Sequence, residues 1–245
     1  NTPHYHRSCG VCCIVHIRIQ RKCIPMKLNE IEVILFDLGN VVIEIDFSRV
    51  ISEWQRFSGK NKIDVTKDSI LGRSNEKYER GEISTAQFIE SLKKELDLDI
   101  TDEEVLEGWN KIFVGENLGI RQNIDRLVSK YPLYIFSNTS VSHAEFWRNE
   151  YSELLKHFQK IFTSFELGMR KPEKESFLEV CSQIDVLPEK ILFFDDTEEN
   201  IVAANDLGMH AVKVDSIQDI AKQLINFVKS LNSFIPGKYL GPPSA

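Results

Sequence analysis

Cysteine is scarce where a disulfide-stapled protein would need it. Of five cysteines, four (Cys9, Cys12, Cys13, Cys23) lie in the first 25 residues, and only Cys181 falls in the remaining chain. A disulfide framework is therefore excluded for the body of the protein, and a reducing cytoplasm is the expected setting. Long apolar runs are also missing, which argues against a membrane span. There is no basic excess. The net charge of −7 argues against a nucleic-acid or anionic-membrane surface. No internal repeat or low-complexity tract is evident. What remains is a 245-residue chain with 42% hydrophobic and 27% charged residues, suited to one globular unit or a core with a smaller inserted domain.

The first 25 residues differ in texture from the rest. They carry Arg7, Arg18, Arg21 and Lys22 and no acid, leaving −11 on the remainder (−7 less +4). Cys9-x-x-Cys12 with His4, His6 and His16 nearby could bind zinc, but no second well-spaced pair follows. A signal peptide fits poorly, because the apolar stretch is short and broken by His16 and Arg18. The segment 1–25 reads as a non-native or disordered extension ahead of a start at Met26. Cys181 lies in a helical pattern and reads as a buried small hydrophobe.

Val33-Ile34-Leu35-Phe36-Asp37 reads as a buried parallel strand that ends on a carboxylate and runs into the turn Leu38-Gly39-Asn40. An Asp there can be a nucleophile, a metal ligand or a turn residue. Residues 46–116 carry helical patterns throughout, with no strand signal. Ser84-x-x-Gln87 and Thr101-x-x-Glu104 are capping boxes, and Arg80-Gly81 is a break. From residue 117 helices alternate with strands: a helix over 120–130, a strand over 133–136, a helical stretch around Phe146, Leu154 and Phe158, and a strand over 160–163. Pro172 sits where a helix could start. A strand over 191–194, a helix over 198–207, a strand over 210–214 and a last helix to about 231 follow. Alternation of this kind predicts an α/β fold, a parallel sheet with helices on both faces. Segments 26–45 and 117–231 then form the core, the helical block 46–116 is an insertion at an active-site loop, and residues 232–245 form a loose tail.

Three strand ends carry polar clusters: Asp37, Ser137-Asn138 and Asp195-Asp196. A fourth cluster, Arg170-Lys171-Pro172, opens a helix. Parallel strands bring such ends to one edge. Carboxylates meeting there repel unless a cation neutralises them. Hard oxygen donors suit Mg²⁺, with phosphate oxygens completing its shell. A hydroxyl, an amide and a lysine beside that metal form a pocket for a phosphate dianion. An acidic pair after a strand can equally be a helix N-cap, and the three polar residues 137–139 can be an ordinary turn.

Together, in this order, the four clusters resemble the haloacid dehalogenase superfamily of aspartyl-phosphate phosphatases, over residues 31–214. Phe36-Asp37-Leu38-Gly39-Asn40 matches the first motif, Ser137 the second, Lys171 the third and Asp195-Asp196 the fourth. The resemblance implies a Rossmann-like sheet with an inserted small helical cap domain. Within the superfamily the first motif is similar to that of a bacterial branch that includes a glucose-1-phosphate phosphatase. It implies Asp37 as nucleophile, Lys171 as catalytic and phosphate-binding, and Ser137 and Asn138 as phosphate-binding. Asp37, the backbone carbonyl of Gly39 and Asp196 would ligate Mg²⁺, with Asp195 in support. Glu79, Arg80 and Glu82 lie in a segment similar to the cap loop that faces the active site. The substrate expected is a small phosphorylated metabolite such as a hexose 1-phosphate. One position departs from the pattern: the family's second motif-one Asp, the usual acid/base, is Gly39 here. Two rivals follow, a metal-independent dehalogenase-type hydrolase and a catalytically weak ligand-binding member.

Overall fold

The structure, a computed structural model, describes residues 30–63 and 72–215. The Cys9–Cys12 pair, Met26, the last expected helix and the tail lie outside the described residues. Along the chain the elements are β1 (Val33–Phe36), β2 (Ile43–Ile45), α1 (Phe47–Ser58), α2 (Arg73–Glu79), α3 (Thr85–Glu95), α4 (Asp102–Asn110), β3 (Phe113–Glu116), α5 (Ile120–Leu127) and β4 (Leu133–Ser137). There follow α6 (Val141–Glu150), α7 (Ser152–Leu155), β5 (Lys160–Thr163), α8 (Ser164–Leu167), α9 (Lys174–Ile184), β6 (Ile191–Asp195), α10 (Glu198–Asp206) and β7 (His210–Lys213). None of the described helices is long and apolar enough to cross a membrane.

Five strands form one sheet in the order β5-β4-β1-β6-β7, with every pairing parallel. β1 is central and fully buried, which is why its sequence is uninterrupted apolar rather than alternating. Its residues still divide with the period of two that a strand imposes. Ile34 and Phe36 join the cluster that takes Ile120, Ile124 and Leu127 from α5 and Trp147 from α6. Val33 and Leu35 join the opposite cluster, with Phe177, Val180 and Cys181 from α9 and Ala203 and Ala204 from α10. Two helical layers therefore clamp the sheet and hold its strand ends in fixed register.

Between β2 and β3 the chain makes a helical insertion with its own core, built on Trp54, Tyr78, Phe88, Leu92, Val105 and Trp109. Both expected capping boxes form: Ser84 and Gln87 exchange side-chain to backbone bonds at the start of α3, and Thr101 and Glu104 do so at the start of α4. The indole of Trp54 crosses α4 at Gly108, where an added Cβ would sit 2.3 Å from its Cδ1. Gly108→Ala therefore forces α1 and α4 apart. We expect a loss of about 1–3 kcal/mol, the usual range for overpacking, read as an earlier denaturant midpoint. An unchanged midpoint would show that this helix pair has slack.

The expectation of helical pattern with no strand over 46–116 is corrected at its end. Phe113–Glu116 is a strand that pairs antiparallel with Ile43–Ile45 to form a two-stranded ribbon at the root of the insertion. Its four residues include Gly115 and are too few to show a period, and its partner is far back in the chain. Pro172 also differs from expectation. It lies before the helix, which starts at Lys174 with Glu173 as N-cap. Phe158 likewise falls in the turn after α7 rather than in a helix.

Candidate active site

The carboxyl ends of β1, β4 and β6 lie side by side, so Asp37, Ser137 and Asp195 meet at one edge; the Asp37 amide donates to Phe194 O at 2.8 Å. Lys171 arrives from a loop instead of a strand. The Asn138 side chain clasps its backbone, Oδ1 accepting from Lys171 N at 2.9 Å and Nδ2 donating to Lys171 O at 2.8 Å. The lysine side chain is then threaded under the site, with the residue only 2% exposed. Its Nζ donates to Asp37 Oδ1 at 2.6 Å and to Asp195 Oδ2 at 2.7 Å. The rings of Phe136 and Phe193 stand 5.2 and 5.4 Å from that ammonium.

Asp195 is fully buried and its carboxylate is saturated. Besides Lys171 it accepts from Thr197 N at 2.8 Å and from Asn200 Nδ2 at 3.0 Å. It therefore orients Lys171 and the turn into α10. Asp196 points into the cavity beside it and accepts from Asn40 Nδ2 at 3.0 Å. Asn40 has φ +55°, a left-handed conformation that Asn tolerates well, and its Oδ1 accepts from Ile45 N at 3.3 Å. The turn after β1 is thereby tied both to the β6 end and to the root of the insertion.

The electrostatics of this floor are unbalanced. Carboxylate oxygens of Asp37, Asp195 and Asp196 all lie within 4.8 Å of one another. Burial pushes the Asp37 carboxyl up to about 7; Lys171 pulls it down, while Asp195 and Asp196 push it further up. Burial opposes the Lys171 charge, yet Asp195 and Asp37 outweigh it and hold the ammonium above its ordinary range. Three carboxylates face one lysine, and hard oxygen donors in that number suit a divalent cation. Asp37 Oδ2 and Asp196 are the oxygens best placed to accept one. The Gly39–Ile43 bridge uses the Leu38 carbonyl and the Asn40 amide and leaves the Gly39 carbonyl out of it.

A cavity of about 660 Å³ opens above this floor, between the sheet edge and the insertion. Of the insertion residues singled out from sequence, Glu79 lines it, whereas Arg80 and Glu82 do not. Glu79 accepts from Asn75 Nδ2 at 3.1 Å and pairs with Arg170 Nη2 at 2.8 Å, and burial raises its carboxyl. Arg80 forms a two-pronged ion pair with Glu173. Glu82 is exposed, beyond the turn at Gly81. Thus α2 is pinned to the residues on either side of Lys171. His143, just after the second motif, is buried in the cavity wall, stacked 4.6 Å from Trp109 with Nε2 bonded to Trp109 O at 3.2 Å. Burial pushes its pKa down to about 4, so the ring is neutral.

Comparison with known proteins places this geometry. The family model for haloacid dehalogenase-like hydrolases matches residues 31–208. The D-ribitol-5-phosphate phosphatase of Bacteroides thetaiotaomicron is 26% identical over 203 residues, covering 80% of this chain and 98% of that protein. A HAD family enzyme from the same organism, crystallised in complex with magnesium and inorganic phosphate, superposes with TM-score 0.63 at 26% identity, covering 76% of this chain and 95% of the other. The fold also matches a HAD-like hydrolase structure from Porphyromonas gingivalis, TM-score 0.68 at 23% identity over 85% of this chain and all of the other. The chain belongs to the haloacid dehalogenase-like hydrolases.

Proposed function

We propose that the protein is a Mg²⁺-dependent phosphatase of small phosphomonoesters that works through an aspartyl phosphate on Asp37. The observation that carries this reading is the pairing of Asp37 Oδ1 with Lys171 Nζ at 2.6 Å beside two further carboxylates. An ion-paired, immobile carboxylate at a cavity floor is oriented for in-line attack on phosphorus. Lys171, the Ser137 hydroxyl and the Asn138 backbone N–H hold the non-bridging oxygens. Water then cleaves the acyl phosphate, releasing orthophosphate and restoring Asp37. Asp37, Asp196 and the Gly39 carbonyl would hold Mg²⁺, with Asp195 supporting them through Lys171. Held there, Mg²⁺ would supply positive charge to offset the carboxylates and the phosphate dianion.

The relative named as a D-ribitol-5-phosphate phosphatase supports phosphomonoester hydrolysis as the reaction. The helical insertion acts as the lid over the cavity, with Glu79 and Arg80 anchoring it to the Lys171 loop. Gly39 offers no proton to the departing oxygen, so the favoured esters are those whose leaving oxygen is less basic than an ordinary alkoxide. Two kinds of ester meet that requirement, a hexose 1-phosphate with its anomeric oxygen and an aryl phosphate with its phenolic oxygen. In a panel of phosphate esters, orthophosphate release with Mg²⁺ should fall to background on adding EDTA and return with excess Mg²⁺. Undiminished orthophosphate release in EDTA would overturn the metal dependence, and halide release from a 2-haloacid without any phosphate release would favour the dehalogenase type of chemistry.

A further inference from the structure

We infer that the favoured substrates of the phosphatase proposed above carry an apolar ring on the leaving oxygen, an aryl phosphate being the simplest, and are not polyol phosphates. This inference rests on that reading of the floor and concerns the opposite wall. That wall is made of Ile45, Phe47, Trp109, Ile112 and Phe113. Most of its polar neighbours are already spent on one another. Glu79 is held by Asn75 at 3.1 Å and by Arg170 at 2.8 Å, and Arg170 also reaches Glu76 at 3.2 Å. His143 gives Nε2 to the Trp109 carbonyl, Trp147 gives Nε1 to Thr139 Oγ1, and Ser140 is taken by Ser142 and the His143 amide. Three polar atoms of the lining have no hydrogen-bond partner, Trp109 Nε1, Arg170 Nε and Glu79 Oε2 (the last held by its ion pair with Arg170), and all three are buried beneath the surface.

A wall built to read a sugar presents unspent donors and acceptors, because each hydroxyl buried without a partner lowers affinity. This wall presents methyl groups and ring faces. The same holds beside the reacting bond. A Cβ at Gly39 would lie 3.2 Å from Ile45 Cδ1 and 3.8 Å from Asp37 Oδ2, so a methyl group borders the place where a side chain at 39 would stand. An aryl ester needs no acid there. As the Asp37 oxygen bonds to phosphorus, the bond from phosphorus to the aryl oxygen breaks. Its electron pair leaves on that oxygen as a phenolate, which takes a proton from water after release.

Calorimetric titration with two non-hydrolysable probes, both in Mg²⁺, separates wall recognition from leaving-group reactivity. Benzylphosphonate and (glucosylmethyl)phosphonate each carry a methylene in place of the bridging oxygen. Benzylphosphonate should bind at least about tenfold more tightly, the order expected for burying one apolar ring. Phe47→Ser should shrink that gap to about threefold or less while inorganic phosphate binds as before. Ile112→Asn serves the same purpose should the first variant not fold. Equal or tighter binding of the glucosyl probe, or an unchanged gap in the folded wall variants, would overturn the inference in favour of sugar recognition. The underlying phosphatase reading fails separately, if neither phenyl phosphate nor glucose 1-phosphate releases orthophosphate with Mg²⁺.

Discussion

Asp37→Asn abolishes orthophosphate release, a loss on the order of 10⁴-fold or more, as expected for removal of a nucleophile. The same substitution raises the thermal midpoint of the metal-free protein by a few degrees. Both effects come from one arrangement. Asp37 is 9% exposed and shares its surroundings with Asp195 and Asp196, and among the described residues Lys171 is the one cation paired with it. Its folded pKa of about 7 lies above the ordinary 3.8. Between those values the folded state holds the proton more tightly than the unfolded chain, so the ionised carboxylate weakens the fold progressively as pH rises through that window. The stability gained by the Asn variant should therefore be absent below about pH 4 and complete above about pH 7. The carboxamide also keeps an oxygen for Lys171, so the packing around the lysine survives. Excess Mg²⁺ should erase the difference by stabilising the parent. Phosphate release at the parent rate would remove Asp37 as nucleophile. An unchanged midpoint at neutral pH would show that Lys171 alone balances the cluster.

Such a site was legible from sequence where its chemistry is local. A buried strand has to end, and the residue after Phe36, Phe136 or Phe194 is delivered to the same sheet edge by topology alone. Side-chain partners set by tertiary distance were not legible. The bond from Asn40 to Asp196 spans 156 residues and the clasp of Asn138 on Lys171 spans 33. Nothing in either neighbourhood hints at the other. Asn138 is expected from sequence to bind phosphate, but its side chain also sets the course of the loop that carries Lys171. Glu79 and Glu82 looked alike in sequence. They part because Glu79 closes a helix that faces the cavity, while Gly81 at φ +69° turns the chain away before Glu82. The apolar wall was equally hidden. Phe47, Ile112 and Phe113 sit at the ends of the insertion, where helical spacing no longer says which way a side chain points.

Gly39→Asp should accelerate hydrolysis of alkyl phosphates by about 10²–10⁴-fold, the usual worth of general acid–base catalysis, and leave aryl phosphates nearly unchanged. Nothing in the backbone demands glycine here, since the left-handed residue of this turn is Asn40, not Gly39. The nearest obstacle to a Cβ is Ile45 Cδ1 at 3.2 Å, the far end of a flexible side chain that can give by a few tenths of an ångström. The other neighbour is Asp37 Oδ2 at 3.8 Å, which puts the introduced carboxyl beside the reacting group. There it would join three carboxylates already within 4.8 Å of one another, and like charge raises a carboxyl pKa. A raised pKa leaves a protonated fraction at neutral pH, which a general acid requires. An alkoxide gains most from that proton and a phenolate least, so the ratio of alkyl to aryl rates is the diagnostic quantity. Gly39→Asn supplies the bulk without the acid and should leave that ratio where the parent has it. The added charge should also lower the metal-free thermal midpoint, with recovery in Mg²⁺. Equal acceleration of both ester types, or none, would show that another group already protonates the leaving oxygen.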